Sequence, residues 1–167
     1  MNQSYKAKGT YYAYSDQKTS ITENNDQTKS TDSVLNIMNT DNVNDVDGVH
    51  SDLSIIFNVD KGYTAASGGG NVGDVHIVDA TNLSAWVNGN DFKGITIKNN
   101  VVETINSADG YSITSTQIAQ LAETVATWLS SKGYNDVQAV LDGGITNDIN
   151  ALTTYFAQDN NWTAPTP

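Results

Sequence analysis

The chain has 167 residues with a formal net charge of -11, its eight basic residues are all Lys, and it contains no Cys. That length suits one domain with its own core, while the absence of Arg and of any basic cluster removes nucleic acid as a partner, because phosphate binding depends on counterion release by Lys and Arg. Without Cys there is no disulfide, thiolate nucleophile or zinc-thiolate site, and with no run near the roughly 20 apolar residues of a membrane span, no membrane insertion is expected.

Read in chain order, "YKAKGTYYAY" (Tyr5 to Tyr14) predicts a first strand. The polar stretch Ser15 to Asp32 predicts a long loop. "SVLNIMN" (Ser33 to Asn39) predicts a short helix capped by Thr31 or Asp32. Strands are expected at Leu53 to Val59 and Asp74 to Ala80, on either side of "SGGGNVG". Beyond them, Asn88-Gly89 and Asn99-Asn100 have the chemistry of two-residue hairpin turns, which predicts three adjacent antiparallel strands.

From Thr114 the period becomes helical. Thr114 and Gln117 have capping-box spacing, Ile118, Leu121, Ala122, Val125 and Leu129 form one stripe, and Gly133 ends the run. Trp128, beside Leu129, is assigned to the core. A shorter segment from Asn135 turns Val137, Val140 and Leu141 inward, and Thr146 is expected to cap a last helix carrying Ile149, Leu152, Tyr155 and Phe156 on one face. The expected fold is α+β: a mostly antiparallel sheet of about five or six strands with the C-terminal helices packed on one face. Within this single domain, residues 1–110 are mostly β with a polar loop at 15–32, residues 111–160 are helical, and residues 161–167 form a tail or linker.

The sharpest candidate site is "MNTDNVNDVDGVHSD" (Met38 to Asp52). Asp41, Asn44, Asp45, Asp47 and Asp52 offer the oxygen ligands a hard cation wants, which makes calcium the candidate cofactor. The competing reading is a solvated acidic loop whose Asp and Asn side chains bond their own backbone. An EF-hand register fails, since Val43 falls where the first Asp ligand belongs and no Glu follows at the last position. "SGGGNVGD" lacks the Lys and Ser/Thr of a phosphate loop and reads as a connection between strands.

Trp86 is the second candidate: with Asn88, Asn90 and Asp91 it sets a flat ring beside polar groups, a sugar-binding arrangement, although strand aromatics also serve as core. His50 and His76 stand in no HExxH spacing, which argues against catalytic zinc. With Tyr63 they are the candidate ligands of a haem carrier. No G-x-S-x-G is present and no carboxylate pair is marked for glycoside cleavage.

The composition, rich in Asp, Asn, Thr, Ser and Gly with only three Glu, reads as that of an exported bacterial protein. The expected function is a non-catalytic extracellular or cell-surface binding module, acidic, with calcium as its candidate ion, recognising a glycan or a protein. The alternative is a secreted ligand carrier such as a haem-binding protein using His and Tyr ligands. An enzyme comes third.

Overall fold

A computed structural model describes residues 3–5, 10–14, 19–21, 33–38, 48–65, 72–79, 94–98 and 102–166. The class is α+β, built on two mixed sheets. In chain order the strands are β1 (Gln3–Tyr5), β2 (Thr10–Tyr14), β3 (Thr19–Ile21), β4 (Val34–Met38), β5 (Leu53–Ile56), β6 (Val75–Asp79), β7 (Ile95–Ile97), β8 (Thr104–Asn106) and β9 (Ser112–Thr114). One sheet has the order β1-β3-β7-β6-β5, the other β2-β4-β8-β9.

Alternation explains why these short segments are strands. Tyr11 and Ala13, Leu35 and Ile37, Ile105 and Ile113 are buried, while the residues between them are partly or fully exposed. Each strand of the second sheet thus turns one apolar face to the core and one polar face outward. The same period places Thr19, Ile21, Ile95 and Ile97 inside the first sheet.

The chain crosses from the first sheet to the second at β1 to β2, again at β3 to β4, and again at β7 to β8. Each crossing stacks in parallel register on the previous one, with Gln3 beside Thr19 beside Ile95 in one sheet and Thr10 beside Val34 beside Thr104 in the other. These are three turns of a short β-coil, each turn burying its apolar face only because its neighbours do. Beyond the third turn, β6 and β5 extend the first sheet antiparallel and β9 extends the second.

The helices gather at that antiparallel end: α1 (Ser115–Lys132), α2 (Val137–Gly143) and α3 (Thr146–Ala157). Thr114 closes a full capping box with Gln117, and Gly133 ends α1 in the left-handed region at φ 82°, where a side chain would be strained. Asp136 caps α2 through the Ala139 amide. The stripe Ile118, Leu121, Ala122, Val125 and Leu129 is buried as expected. α3 packs on β5, which is buried along its whole length, and Phe156 meets Phe57 edge-on at 5.1 Å.

Several expectations are corrected. The sheet is not mostly antiparallel: four of the seven strand pairings are parallel. Tyr5 to Tyr14 is not one strand, since its two ends belong to different sheets. The segment expected as a helix at Ser33 to Asn39 is β4, because Leu35 and Ile37 alternate into the core. The polar loop contains β3, whose Thr19 and Ile21 are buried. The strands β7 and β8 lie in different sheets instead of pairing as a hairpin, and both expected turns, Asn88-Gly89 and Asn99-Asn100, lie outside the described residues. Ile145, not Thr146, is the N-cap of α3, and it makes no side-chain cap. Within the expected tail, Trp162 is buried and Thr163 bridges Ser112.

Candidate functional site

Of the acidic run, Asp41, Asn44, Asp45 and Asp47 lie outside the described residues, as do Trp86, Asn88, Asn90 and Asp91. Asp52 ends a short 3-10 turn, His50–Asp52, that leads into β5. His50 and His76 sit at opposite ends of β5, His50 ahead of Leu53 and His76 opposite Ile56. His76 is half-buried and its Nδ1 bonds Thr96 Oγ1 at 2.9 Å. Burial lowers its pKa, Asp74 opposes that shift and Lys98 adds to it. Tyr63 has a buried hydroxyl with no hydrogen-bond partner among the described residues, and burial followed by the Glu123 charge raises its pKa.

His50 belongs to a clasp. Its backbone N–H donates to Asp109 Oδ1 at 3.0 Å, its Nδ1 lies 2.6 Å from Asp109 Oδ2, and its ring stacks on Tyr111 with centroids 3.6 Å apart. Ser107 Oγ donates to Asp109 Oδ1 at 2.5 Å. Burial alone would raise the Asp109 carboxyl, but the hydrogen bonds from Ser107 and His50, with the His50 charge, outweigh it and hold the pKa below the ordinary carboxylate value. Ser, His and Asp are therefore neighbours, yet not in a catalytic order. The serine sits on the carboxylate, and His50 Nε2 faces Asp159 Oδ1 at 3.9 Å instead of a nucleophile. The cluster ties the turn before β5 to the turn between β8 and β9, where the Ala108 amide also donates to the Gly48 carbonyl at 2.7 Å.

A different arrangement lies between α1 and α3. Three contiguous open cavities of about 240, 370 and 340 Å³ form one groove, joined through Thr124, through Trp128 with Tyr155, and through Gln158. The helical period makes it: with Ile118, Val125 and Leu129 facing the core, the adjacent flank of α1 presents Gln117, Gln120, Thr124, Thr127, Trp128 and Ser131. Trp128, expected in the core, is only half-buried, with Tyr155 at 5.9 Å and Tyr134 at 6.2 Å between ring centroids.

Among the described residues no charged side chain lines any of the three cavities, in a chain of net charge -11. Two nearby charges are engaged elsewhere, and Asp159, between Gln158 and Asn160, lies 3.9 Å from His50 Nε2 and is not part of the lining. Glu123 accepts from the Ala65 amide at 3.2 Å, and Lys132 pairs with Asp148 at 3.5 Å. The hydroxyls of Thr124, Thr127 and Thr154 donate to carbonyls one helical turn back, and Ser131 donates to the Trp128 carbonyl. Their protons are thus spent on the helix and only acceptor lone pairs remain. Donor capacity comes from the amides at the other end. Gln158 and Asn161 bond each other at 2.9 Å, whereas the Gln120 and Asn160 side chains make no hydrogen bond among the described residues.

Sequence reasoning missed this groove because it weighed Trp128 only as a neighbour of Leu129. The signal was present: α1 carries Glu123 and Lys132 as its only charges and keeps one flank wholly uncharged. Among the described residues no group of three or more His, Asp or Glu could hold a metal, and no helix is long and apolar enough to cross a membrane. No family model, curated protein or solved structure matches the chain.

Proposed function

We propose that the protein is a non-catalytic binding module that recognises an uncharged glycan in the groove between α1 and α3. One observation carries this: an acidic chain keeps a groove without charge among the described residues, gives it half-buried Trp128 and Tyr155 rings, and lines most of the rest with hydroxyl and amide groups. A sugar has an apolar C–H face that packs on an aromatic ring and a rim of hydroxyls that donate and accept hydrogen bonds. The acceptor-rich Thr and Ser wall suits those hydroxyl donors, and the free Gln120 and Asn160 amides supply donors in return. A protein partner would more often bring charged side chains, for which the groove offers no counter-charge.

The proposal includes an extracellular or cell-surface setting, and calcium at Asp41, Asn44, Asp45, Asp47 and Asp52 on the strength of that sequence alone. A melting temperature that rises with calcium, falls with chelator and ignores sodium at matched ionic strength supports the calcium part. Loss of that response in Asp47→Asn ties it to the run. For the groove, the test is an array of neutral and sulfated glycans probed with the labelled protein and with Trp128→Ala. Retention of neutral glycans that the variant loses is expected. Retention of sulfated glycans alone, or of none, overturns the proposal.

A further inference from the structure

We infer that the ligand is a linear neutral oligosaccharide lying lengthwise along α1, with an aromatic anchor subsite and a separate amide subsite. This rests on the glycan reading of the groove and goes one step past it, from the class of ligand to its shape. The groove is longer than one ring. Its lining runs along α1 from Gln117 to Ser131, which at the helical rise is about 21 Å. Its two ends also differ in chemistry.

At the C-terminal end of α1, the two cavities of about 370 and 340 Å³ share Trp128 and Tyr155, so any ring held there lies against aromatic surface. At the N-terminal end the cavity of about 240 Å³ has no aromatic lining and is walled by amides. A monosaccharide at the aromatic end meets Gln158 alone of the amides, whereas a chain of several units also reaches Gln120 and Asn160, and Thr124 and Gln158, which line both the aromatic and the amide cavities, mark where one subsite passes into the next.

The amide end is built for a ligand that arrives already held. Gln117 is committed to the Thr114 cap and to Thr163, and the Gln158 and Asn161 side chains hold each other while Asn161 Nδ2 donates to the Tyr155 carbonyl at 2.8 Å. These bonds fix the wall and leave Gln120 and Asn160 as the groups with spare capacity. Two exposed amides give modest net gain alone, since water competes for them, but they add affinity once a neighbouring ring is anchored and the entropy of association has been met. The aromatic end supplies binding and the amide end supplies preference for length.

The test uses the full chain on an array of neutral glycans in which each linear series runs from monosaccharide to hexasaccharide, beside branched isomers, followed by calorimetry on the series retained. Affinity should rise by about tenfold or more from disaccharide to tetrasaccharide and then level off. A double variant, Gln120→Ala with Asn160→Ala, should flatten that rise to the level of the disaccharide. Trp128→Ala should weaken binding by roughly thirtyfold at every length. Both amides are exposed, so the double variant should fold, with its far-UV circular dichroism unchanged. A monosaccharide bound as tightly as the tetrasaccharide, or a rise that survives the double variant, overturns the two-subsite inference and leaves the glycan reading standing. Retention of no neutral glycan removes that reading itself.

Discussion

The His50 clasp and the α1–α3 groove are two polar constellations of the described structure, and they are opposites. In the clasp the carboxylate is saturated: Asp109 accepts from Ser107, from the His50 backbone and from the His50 ring, and Tyr111 covers the ring. In the groove no described residue is charged, and hydrogen-bonding capacity is left over. A saturated carboxylate has little left to offer a ligand, and the bonds it accepts tie the two turns together. A lined cavity with spare acceptors and two half-exposed rings has a surface still to satisfy. The presence of Ser, His and Asp in contact is therefore a poorer guide to function here than a flank without charge.

Four experiments bear on that contrast. The largest effect is expected in the groove: Trp128→Ala should weaken glycan binding by about 2 kcal/mol, roughly thirtyfold in Kd, as truncation of a central Trp does, which calorimetry reads directly. Equal loss of binding on mutating His50 would erase the distinction between the two sites. Next, Asp109→Ala should cost about 1 kcal/mol of stability, the lower end for a charged hydrogen bond because the carboxylate is partly exposed, and should lower the melting temperature by about 2–4 °C with binding unchanged.

Smaller still is the pH effect. The Asp109 pKa is depressed in the folded state, so its contribution to stability is present above the unfolded carboxylate value and is lost as the pH falls through the lower folded value. The difference in melting temperature between wild type and Asp109→Ala should accordingly shrink below about pH 4. A gap that widens with acid would show the clasp is not held by the ionised carboxylate. The smallest expected effect is on the salt dependence of binding: Kd should not move between low and high sodium chloride, because no charge lines the groove. A steep salt slope would place the ligand elsewhere on the acidic surface.

One close approach tests the coil beneath both sites. A Cβ on Gly94 would lie 2.7 Å from the Ile77 carbonyl oxygen and 2.8 Å from Val78 Cγ1, where β6 passes the start of β7. The Gly94 carbonyl also receives the Thr19 amide at 3.0 Å, which fixes β3 beside β7. Substituting Ala there would force β6 away from β7, the strand that opens the third turn.

What the sequence determined by itself was local. Capping residues, the apolar stripe of α1 and the left-handed stop at Gly133 are set by groups within a few positions of one another, so α1 was legible from Thr114 to Gly133. Net charge and the absence of Arg and Cys likewise follow from composition alone. Alternation in "VLNIM" told which residues face inward, but the same two-residue period serves parallel and antiparallel strands, and nothing in it names the partner. Tertiary structure decided that Val34 lies beside Thr10 and Thr104, and so made a coil where a mostly antiparallel sheet was expected. It also brought Asp109 to His50 across 59 residues, and Tyr155 to Trp128 across a helical turnaround. Such contacts depend on where separate elements pack, and packing is settled by the whole buried surface rather than by any segment's own pattern.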